Sequence, residues 1–453
     1  MSILSPTSVS FSTITGISEP AAFAQLLTES VFAPHLPAVA VHRVRTRPGR
    51  RLEAPRALWN VYEVEIDLPD GQRTSRLVWT KAFFNGEDCQ EYHSRIQGLL
   101  DRLAFNPLDA DGYATFIPTY NLFVFFFPVD PVFPMLSTAF DGRRIKPILE
   151  PHFRHLLGID RADSIDIERV KYLPEISAIA RYRAAGAGSG PAIYGKVQHS
   201  RKGAFTYEVM QALWALPARS SGELVIAEPL GYYPEYDLLL QSEVPGDDIT
   251  GDRHSEVFMA QAEAAGRVIG RIHQSGITVG RPHTIDVEIE RLKTRLEEFK
   301  LSSPSLYLLI RGLLNQIVAR ARRIAPESPV PSHGDYKYNQ FLYDGERFGL
   351  IDVEYFVQAE PSFDLGKYCG HLVPSSPGDW SDTAQANVAR RTFLDAYQSI
   401  CPDYEGRRFP LYEALSLATR ALVVTWSQAR NWEHTAETLV ALGFERLKTR
   451  WRE

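Results

Sequence analysis

The spacing of apolar residues changes near residue 246, and this change limits the fold more than any other feature of the chain. Before it, short apolar runs are separated by turn signals such as Asp70-Gly71 and Pro245-Gly246, which is typical of strands. After it, apolar residues recur at spacings of three and four, as in Phe258 to Ile272, which is typical of helices. The sequence therefore predicts an α+β protein of two unequal lobes, in which a small mixed sheet is followed by a large helical region.

The chain divides into four predicted segments. Residues 1–40 are a Ser/Thr-rich lead followed by a helix that is capped by Ser18 and ends near Pro34. Residues 41–165 and 166–245 show the same order of signals, which is strand, turn, strand, helix and strand. Residues 246–453 are mainly helical. We interpret 41–165 as an extra N-terminal α+β domain and a degenerate copy of the lobe at 166–245, although a common local pattern can also arise twice by chance.

Both copies place a lysine in their second strand and a glutamate early in the following helix. Lys81 and Glu91 are ten residues apart, and Lys196 and Glu208 are twelve apart. In the first copy we expect Lys81 and Glu91 to lie close together, either as solvated residues or as a degenerate ion pair, and to bind no nucleotide. The first copy would then cover the second. The aromatic residues expected to be buried in it are Phe123, Phe125 and Phe127.

Composition excludes several classes of protein. The net charge of -6 disfavours a nucleic-acid-binding protein, which needs clustered Lys and Arg. The longest apolar run, Leu122 to Phe127, is far shorter than the roughly 20 residues that span a bilayer. Cys89, Cys369 and Cys401 are scattered, without metal-ligand spacing, and the N-terminal residues do not follow a signal-peptide pattern. We therefore expect a cytoplasmic protein with neither a nucleic-acid partner nor a membrane partner.

Side chains suited to phosphoryl transfer occur together between residues 331 and 366. This reaction needs a carboxylate that orients the acceptor hydroxyl, oxygen ligands for magnesium and a cation on the phosphates. Asp335 lies in a His-Gly-Asp loop, and Gln340 follows it by five residues. Asp352 ends the next apolar strand, beyond the turn at Asp344-Gly345. Because a hairpin brings its two strands side by side, Gln340 and Asp352 can face one ion while Asp335 faces an acceptor.

The segments Ser-His333-Gly-Asp335, Leu-Ile-Asp352 and Phe-Asp364-Leu-Gly resemble the aminoglycoside phosphotransferase and choline kinase superfamily. The resemblance implies a protein-kinase-like two-lobed fold, with a small antiparallel-sheet lobe and a large helical lobe. It also implies transfer of the γ-phosphate of ATP, or of GTP, to a hydroxyl of a small molecule. It implies that Asp335 is the catalytic base, that Gln340 and Asp352 bind Mg²⁺, and that Asp364 is a structural acid.

The resemblance extends from about residue 170 to 450. Tyr194-Gly-Lys196-Val resembles the strand that carries the phosphate-binding lysine of the family, and Glu208 resembles its ion-pair partner. The hinge that meets the adenine corresponds to Gln241-Ser-Glu-Val-Pro-Gly246, in which Gln241, Glu243 and Val244 are the cofactor-binding candidates. His273, at the end of a helix ahead of the base loop, is interpreted as a buried, hydrogen-bonded residue.

Two positions depart from the pattern of the family. Most members have Asn five residues after the base, where this chain has Gln340, and Asn339 is one residue early. The Gln form resembles a branch that includes the maltokinases. In addition, the turn Leu173-Pro-Glu-Ile-Ser177 lies where a glycine-rich phosphate loop is expected, so the way in which the triphosphate is covered is left open.

The sequence predicts the phosphate acceptor only as a class of compound. We expect a sugar, amino sugar, amino alcohol or aminoglycoside-like compound to bind between the base loop and the C-terminal helices. The candidate acceptor contacts are Trp380, Trp426, Trp432, Glu354 and Glu360. One alternative is a non-catalytic kinase-like nucleotide-binding or scaffold protein, which would not need Asp335, Asp352 and Lys196 together. Another is a protein kinase, which is disfavoured because neither an Ala-Pro-Glu segment nor a recognisable activation loop follows Asp352.

Overall fold

The computed structural model describes residues 8–34, 36–53, 56–103, 106–108, 111–159, 162–185, 190–249, 255–300, 303–373, 383–427 and 431–449. The chain forms two compact units. Unit 1 contains residues 1–204 and 230–241, and unit 2 contains residues 205–229 and 242–453. Strands and helices are both abundant, which confirms the α+β class.

Unit 1 is built on two five-stranded sheets. The first contains β1 (Ala40–Glu53), β2 (Ala57–Asp67), β3 (Arg73–Phe83), β4 (Ala114–Ile117) and β5 (Leu122–Phe126), and its order is β1-β2-β3-β5-β4. The second contains β6 (Ile165–Leu173), β7 (Ser177–Ala184), β8 (Ile193–Gln198), β9 (Pro229–Tyr233) and β10 (Leu238–Ser242), in the order β6-β7-β8-β10-β9. All four pairings of the first sheet are antiparallel, as are β6–β7 and β7–β8 in the second.

The helices of unit 1 surround these sheets. They are α1 (Phe11–Ile17), α2 (Pro20–Leu27), α3 (Gly86–Leu100), α4 (Leu136–Ala139), α5 (Gly142–Leu157) and the start of α6 (Ser200–Trp214), which continues into unit 2. The predicted N-terminal cap at Ser18 is wrong. Ser18 ends α1, where its hydroxyl donates to the carbonyl of Ile14, and Ser10 is the residue whose side chain caps a helix start.

The two sheets have the same strand order. In each, the third strand leads into a long helix, α3 or α6. In each, the two strands that follow are joined by a single 3₁₀ turn, at Pro118–Tyr120 and at Pro234–Tyr236. Both turns end in a left-handed residue, Asn121 with φ 48° and Asp237 with φ 49°. A duplicated sheet-and-helix block predicts this correspondence.

The central strands of the first sheet, β2, β3 and β5, contribute buried residues to both of its faces. One face contributes Trp79, Phe123 and Phe125 to a core that also contains Tyr182 and Leu240 of the second sheet. The rings of Trp79 and Phe125 stack with centroids 4.1 Å apart. The other face packs under the N-terminal helices in a separate apolar cluster. The two sheets of unit 1 therefore share one core. The predicted segment boundaries at residues 40, 165 and 245 are not tested by this arrangement and stay predictions.

Lys81 does not pair with Glu91. Its ammonium lies 2.7 Å from a carboxylate oxygen of Glu175, and both side chains are only 8% exposed. Glu91 is 79% exposed and its carboxylate lies 3.7 Å from Arg56. Lys81 points into the core shared by the sheets, whereas Glu91 lies on the outer face of α3. The expectation of a Lys81–Glu91 pair or of a solvated Lys81 is therefore wrong.

Unit 2 is mainly helical. After α6 its helices are α7 (Pro217–Ser220), α8 (Glu256–His273), α9 (Ile285–Glu298), α10 (Pro304–Ala321), α11 (Ser362–Leu372), α12 (Thr383–Ile400), α13 (Phe409–Ser427) and α14 (Trp432–Arg446). Its short strands are β11 (Asp247–Asp248), β12 (Pro282–His283), β13 (Val330–Ser332), β14 (Phe341–Tyr343), β15 (Phe348–Leu350) and β16 (Val357–Ala359). They form two three-stranded sheets, β11-β14-β15 and β12-β16-β13. Among the described helices, none is both long and apolar enough to cross a membrane.

Candidate active site

The loop that carries Asp335 follows β13 and requires a glycine. Gly334 has φ +85°, in the left-handed region that residues with a Cβ rarely adopt. A Cβ at this position would lie 1.9 Å from the carbonyl oxygen of Tyr355. The backbone therefore passes too close to the neighbouring segment for any larger residue, and this close approach fixes the position of Asp335.

Asp364, in the first turn of α11, binds the backbone of this loop through its carboxylate. It is fully buried, and its two oxygens accept from the backbone N–H of His333 at 2.7 Å and of Gly334 at 2.9 Å. Burial acts to raise the pKa of Asp364, but the hydrogen bond and charge of His273 outweigh it and lower that pKa. Losing the carboxylate would leave two buried N–H groups unsatisfied, at about 1–3 kcal/mol each.

His273 links this carboxylate to α12. Its Nε2 lies 3.4 Å from Asp364, and its Nδ1 lies 3.0 Å from the hydroxyl of Tyr397. The side chain is 2% exposed. The prediction that His273 is a buried, hydrogen-bonded residue is confirmed.

The structure brings Asp335, Gln340 and Asp352 together. The side-chain nitrogen of Gln340 donates to Asp335 at 3.2 Å and lies 3.5 Å from a carboxylate oxygen of Asp352. Strands β14 and β15 pair as a hairpin, with Phe341 opposite Leu350, so the residues just outside that pair meet at one end of it. Gln340 is buried, whereas the neighbouring Asn339 is exposed. Gln340 is thus the amide that faces the two carboxylates.

Two lysines flank Asp335. The ammonium of Lys337 lies 2.8 Å from one carboxylate oxygen, and that of Lys367 lies 3.6 Å from the other. Lys367 also donates to the carbonyl oxygen of Gly334 at 2.5 Å. Burial acts to raise the pKa of Asp335, but the charges of Lys367 and Lys337 outweigh it, so this pKa lies below its ordinary value. Asp335 is therefore ionised at neutral pH.

Sequence reasoning missed both lysines. Lys337 is only two residues beyond Asp335, so its place in the loop was an available signal. Lys367 belongs to α11 and is 32 residues away along the chain, so only the fold brings it to the base.

The donor set next to Asp335 fits a hard cation. Asp352 adopts a left-handed conformation, with φ 65°, two residues after the end of β15. Within the described ranges, no group of three or more His, Cys, Asp or Glu side chains is arranged to hold a metal ion. Asp352 and the amide oxygen of Gln340 could hold Mg²⁺, which commonly takes one or two protein oxygens and fills its other positions with phosphates and water.

Of the predicted phosphate-binding pair, Lys196 belongs to unit 1. It lies in β8, half-buried, opposite Ile179 of β7. A Cβ on the preceding Gly195 would lie 2.6 Å from the ring of Tyr182, so this glycine permits close packing within the sheet. Glu208 is an exposed residue of α6, in the part of that helix that belongs to unit 2. The pairing of Lys196 with Glu208 stays a prediction.

The predicted hinge residues follow one another where β10 ends. Gln241 is in β10, and Glu243 and Val244 come directly after it in unit 2. A Cβ on Gly349 of β15 would lie 2.3 Å from Val244, so Val244 packs closely on the hairpin. Strand β11 then pairs with β14. The segment after the hinge therefore runs along the hairpin whose ends carry Gln340 and Asp352.

Two candidate acceptor contacts have structural roles. Glu360 is 5% exposed and accepts from Arg408 at 2.9 Å and from the hydroxyl of Tyr412 at 3.0 Å. Trp432 packs against the helical core of unit 2. Trp380 and the side chain of Trp426 lie outside the described residues. Glu354, two residues after Asp352 and half-buried, is left as a candidate.

No protein-family profile and no curated protein sequence matches the chain. The structure is similar to that of a Ralstonia eutropha protein assigned as an aminoglycoside phosphotransferase, with 17% identity, a TM-score of 0.48, and 67% of this chain and 98% of that chain covered. A spectinomycin phosphotransferase in complex with ADP and spectinomycin is 11% identical, with a TM-score of 0.45 and coverages of 68% and 99%. A choline kinase from Streptococcus pneumoniae is 15% identical, with a TM-score of 0.45 and coverages of 66% and 98%.

Proposed function

We propose that the protein is a phosphotransferase that moves the γ-phosphoryl group of ATP to a hydroxyl of a small molecule. The observation that carries the proposal is the convergence of Asp335, Gln340 and Asp352, in which one buried amide lies between two carboxylates. A base and two oxygen ligands on one loop and hairpin are the groups that phosphoryl transfer requires of a protein. A scaffold that binds nucleotide without reaction would have no use for a base beside the metal ligands.

Each side chain of the proposed site has a separate role in the reaction. Lys196, supported by Glu208, binds the phosphates, and the backbone around Gln241, Glu243 and Val244 meets the purine. Asp352 and Gln340 hold Mg²⁺, which when bound offsets negative charge on the phosphates. Asp335 accepts a hydrogen bond from the acceptor hydroxyl, orients its oxygen and takes its proton late. A carboxylate with a lowered pKa suits this role, because the hydroxyl becomes strongly acidic only as its bond to phosphorus forms.

The acceptor screen is the first experiment. Purified protein would be given ATP or GTP with Mg²⁺ and, in separate wells, sugars, amino sugars, amino alcohols and aminoglycosides, and nucleotide consumption would be measured. We expect consumption to rise well above the acceptor-free rate in one class, with ATP preferred. Binding of nucleotide without consumption in any class would favour the non-catalytic alternative.

The pH dependence of the rate should depend on Lys367. Because the charges on Lys367 and Lys337 keep the pKa of Asp335 low, the base is ionised over the whole neutral range. The acid limb of kcat/KM should therefore lie below the ordinary range of an aspartate. In Lys367→Met the pKa of Asp335 should rise, and the acid limb should move to higher pH.

Two further variants are controls for the loss of the positive charge of Lys367. Lys367→Arg keeps the positive charge and should keep the acid limb low. Lys293→Met removes an exposed lysine that pairs with Glu290 on α9, and it should leave the pH profile unchanged. An acid limb that stays in place in Lys367→Met would contradict the assignment of this limb to Asp335.

Gln340→Asn should be partly tolerated. The variant keeps an amide oxygen but shortens the side chain by one methylene, so we expect a moderate rise in the Mg²⁺ concentration that gives half-maximal rate. Gln340→Leu keeps the length and removes the oxygen, so it should have the larger effect. Magnesium titrations of the rate would compare the two variants, and equal effects would argue against a ligand role for Gln340.

A further inference from the structure

The turn between β6 and β7 has an unexpected residue at its tip. Glu175 has φ 59°, in the left-handed region where glycine or asparagine is usual. A glutamate in this conformation costs free energy, which is commonly tolerated where the side chain makes contacts that hold it in place. The contacts of its carboxylate therefore indicate why the residue is there.

The carboxylate of Glu175 is buried against the first sheet. One oxygen accepts from the ammonium of Lys81 at 2.7 Å and from the indole N–H of Trp59 at 3.1 Å. The other accepts from the hydroxyl of Tyr92 at 2.8 Å. Lys81 lies over the rings of Trp59 and Tyr92, with its nitrogen 4.4 Å and 4.1 Å from their centroids. The pair is thus enclosed by aromatic rings of β2 and α3.

The backbone of the same turn is held by a second carboxylate. Asp130, which is 1% exposed, accepts from the backbone N–H of Glu175 at 2.9 Å and from the hydroxyl of Tyr172 at 2.8 Å. Asp130 follows β5 and so belongs to the first block of the chain. The side chain and the backbone of the turn are therefore both anchored to that block.

Lys81 occupies the position in the first sheet that Lys196 occupies in the second. Each is the third residue from the end of the third strand of its sheet, and each strand leads into a long helix. Lys196 is the proposed phosphate-binding residue, whereas Lys81 is used to hold a turn of the other sheet. If Lys196 binds phosphate, the lysines at equivalent positions of the two sheets have different roles.

From this geometry we propose that the first sheet is a positioning element for the nucleotide site. Through Lys81 of β3, and with Asp130 of the segment after β5, it fixes the β6–β7 turn as a rigid wall for the nucleotide phosphates. The inference rests on the proposed function. The turn joins the first two strands of the sheet that carries Lys196, and it has no run of glycines with which to close over a ligand. An anchored turn would replace a flexible loop, so nucleotide affinity would depend on residues far from the base.

The test uses the full-length protein and two independent readouts. The double variant Lys81→Met/Glu175→Gln removes both buried charges together, which avoids leaving one unpaired charge in the core. Lys81→Arg is the conservative variant. Arg45→Met is the matched control, because Arg45 forms a half-exposed ion pair with Glu65 in the first sheet. Hydrogen–deuterium exchange of residues 172–178 reports on the turn, and steady-state kinetics give KM for nucleotide and kcat separately.

In the double variant we expect faster exchange in residues 172–178, and a nucleotide KM raised on the order of tenfold with kcat nearly unchanged, because mispositioned binding groups weaken binding. Lys81→Arg should keep an exchange rate and a nucleotide KM close to those of the unmodified protein. Arg45→Met should match the unmodified protein in both measurements. Unchanged exchange in the double variant would overturn the inference, as would faster exchange with an unchanged KM. If the unmodified protein neither binds nor consumes nucleotide, the proposed function is wrong, and the proposed role of the first sheet is wrong with it. If the unmodified protein does both and only the variants depart from the expected result, the role of the first sheet alone is wrong.

Discussion

Asp335→Asn is expected to lower turnover by about two to four orders of magnitude, the contribution usual for a positioned general base. The amide can still contact Lys337 and Gln340, so the loop should keep its shape. It cannot take the proton of the acceptor hydroxyl, and it no longer neutralises the two lysines beside it. We expect nucleotide affinity, measured by calorimetry, and the melting temperature to change little, because Asp364 rather than Asp335 holds the loop.

Asp286→Asn is a matched control for this result. Asp286 is exposed at the start of α9, and the same chemical change there should leave kcat unaltered. If Asp335→Asn keeps near-native turnover on the true acceptor while the control behaves as expected, Asp335 is not the base.

Asp352→Ala should abolish magnesium-dependent binding of nucleotide. In the proposed site Asp352 is the carboxylate that, with the amide oxygen of Gln340, joins Mg²⁺ to the protein. Calorimetry with a non-hydrolysable ATP analogue, with and without Mg²⁺, measures the effect directly. The unmodified protein should bind more tightly with Mg²⁺, and the variant should bind with the same weak affinity in both conditions.

Glu354→Gln tests the neighbouring carboxylate. Glu354 lies two residues beyond Asp352 and is half-buried, so it is the alternative ligand on the same segment. We expect this variant to keep the magnesium dependence. If instead Asp352→Ala keeps it and Glu354→Gln loses it, the metal assignment must move to Glu354.

The sequence predicted the base loop and hairpin well, because their residues are close together along the chain. Gln340 is five residues from Asp335, and one tight turn separates the strand that follows it from β15, which ends two residues before Asp352. Local spacing alone therefore placed the three side chains near one another. Spacing could not decide whether Asn339 or Gln340 faces the site. The decision depends on the 3₁₀ turn over Tyr338–Gln340, which buries the second amide and exposes the first.

The contacts that sequence reasoning missed are distant along the chain. Lys81 and Glu175 are 94 residues apart, and their pairing depends on how two sheets share a core. The repeated pattern of a strand lysine and a helix glutamate predicted the local pair of Lys81 with Glu91, and this pair is wrong because Glu91 lies on the solvent side of α3. Lys367 reaches Asp335 only through the packing of α11 beneath the loop. Local pattern thus fixes strands, helices and short loops, whereas buried charge pairs depend on tertiary packing.

The central claim is that the loop at Asp335 directs a phosphoryl group to a hydroxyl. The most direct measurement is to incubate the protein with ATP labelled in the γ-phosphate and the acceptor found in the screen, and to identify the labelled product by mass spectrometry. We predict that the label appears on a hydroxyl oxygen of the acceptor, and that Asp335→Asn reduces its yield in proportion to its lower turnover. Label found only in inorganic phosphate, or on the acceptor at equal rates with both proteins, would contradict this account.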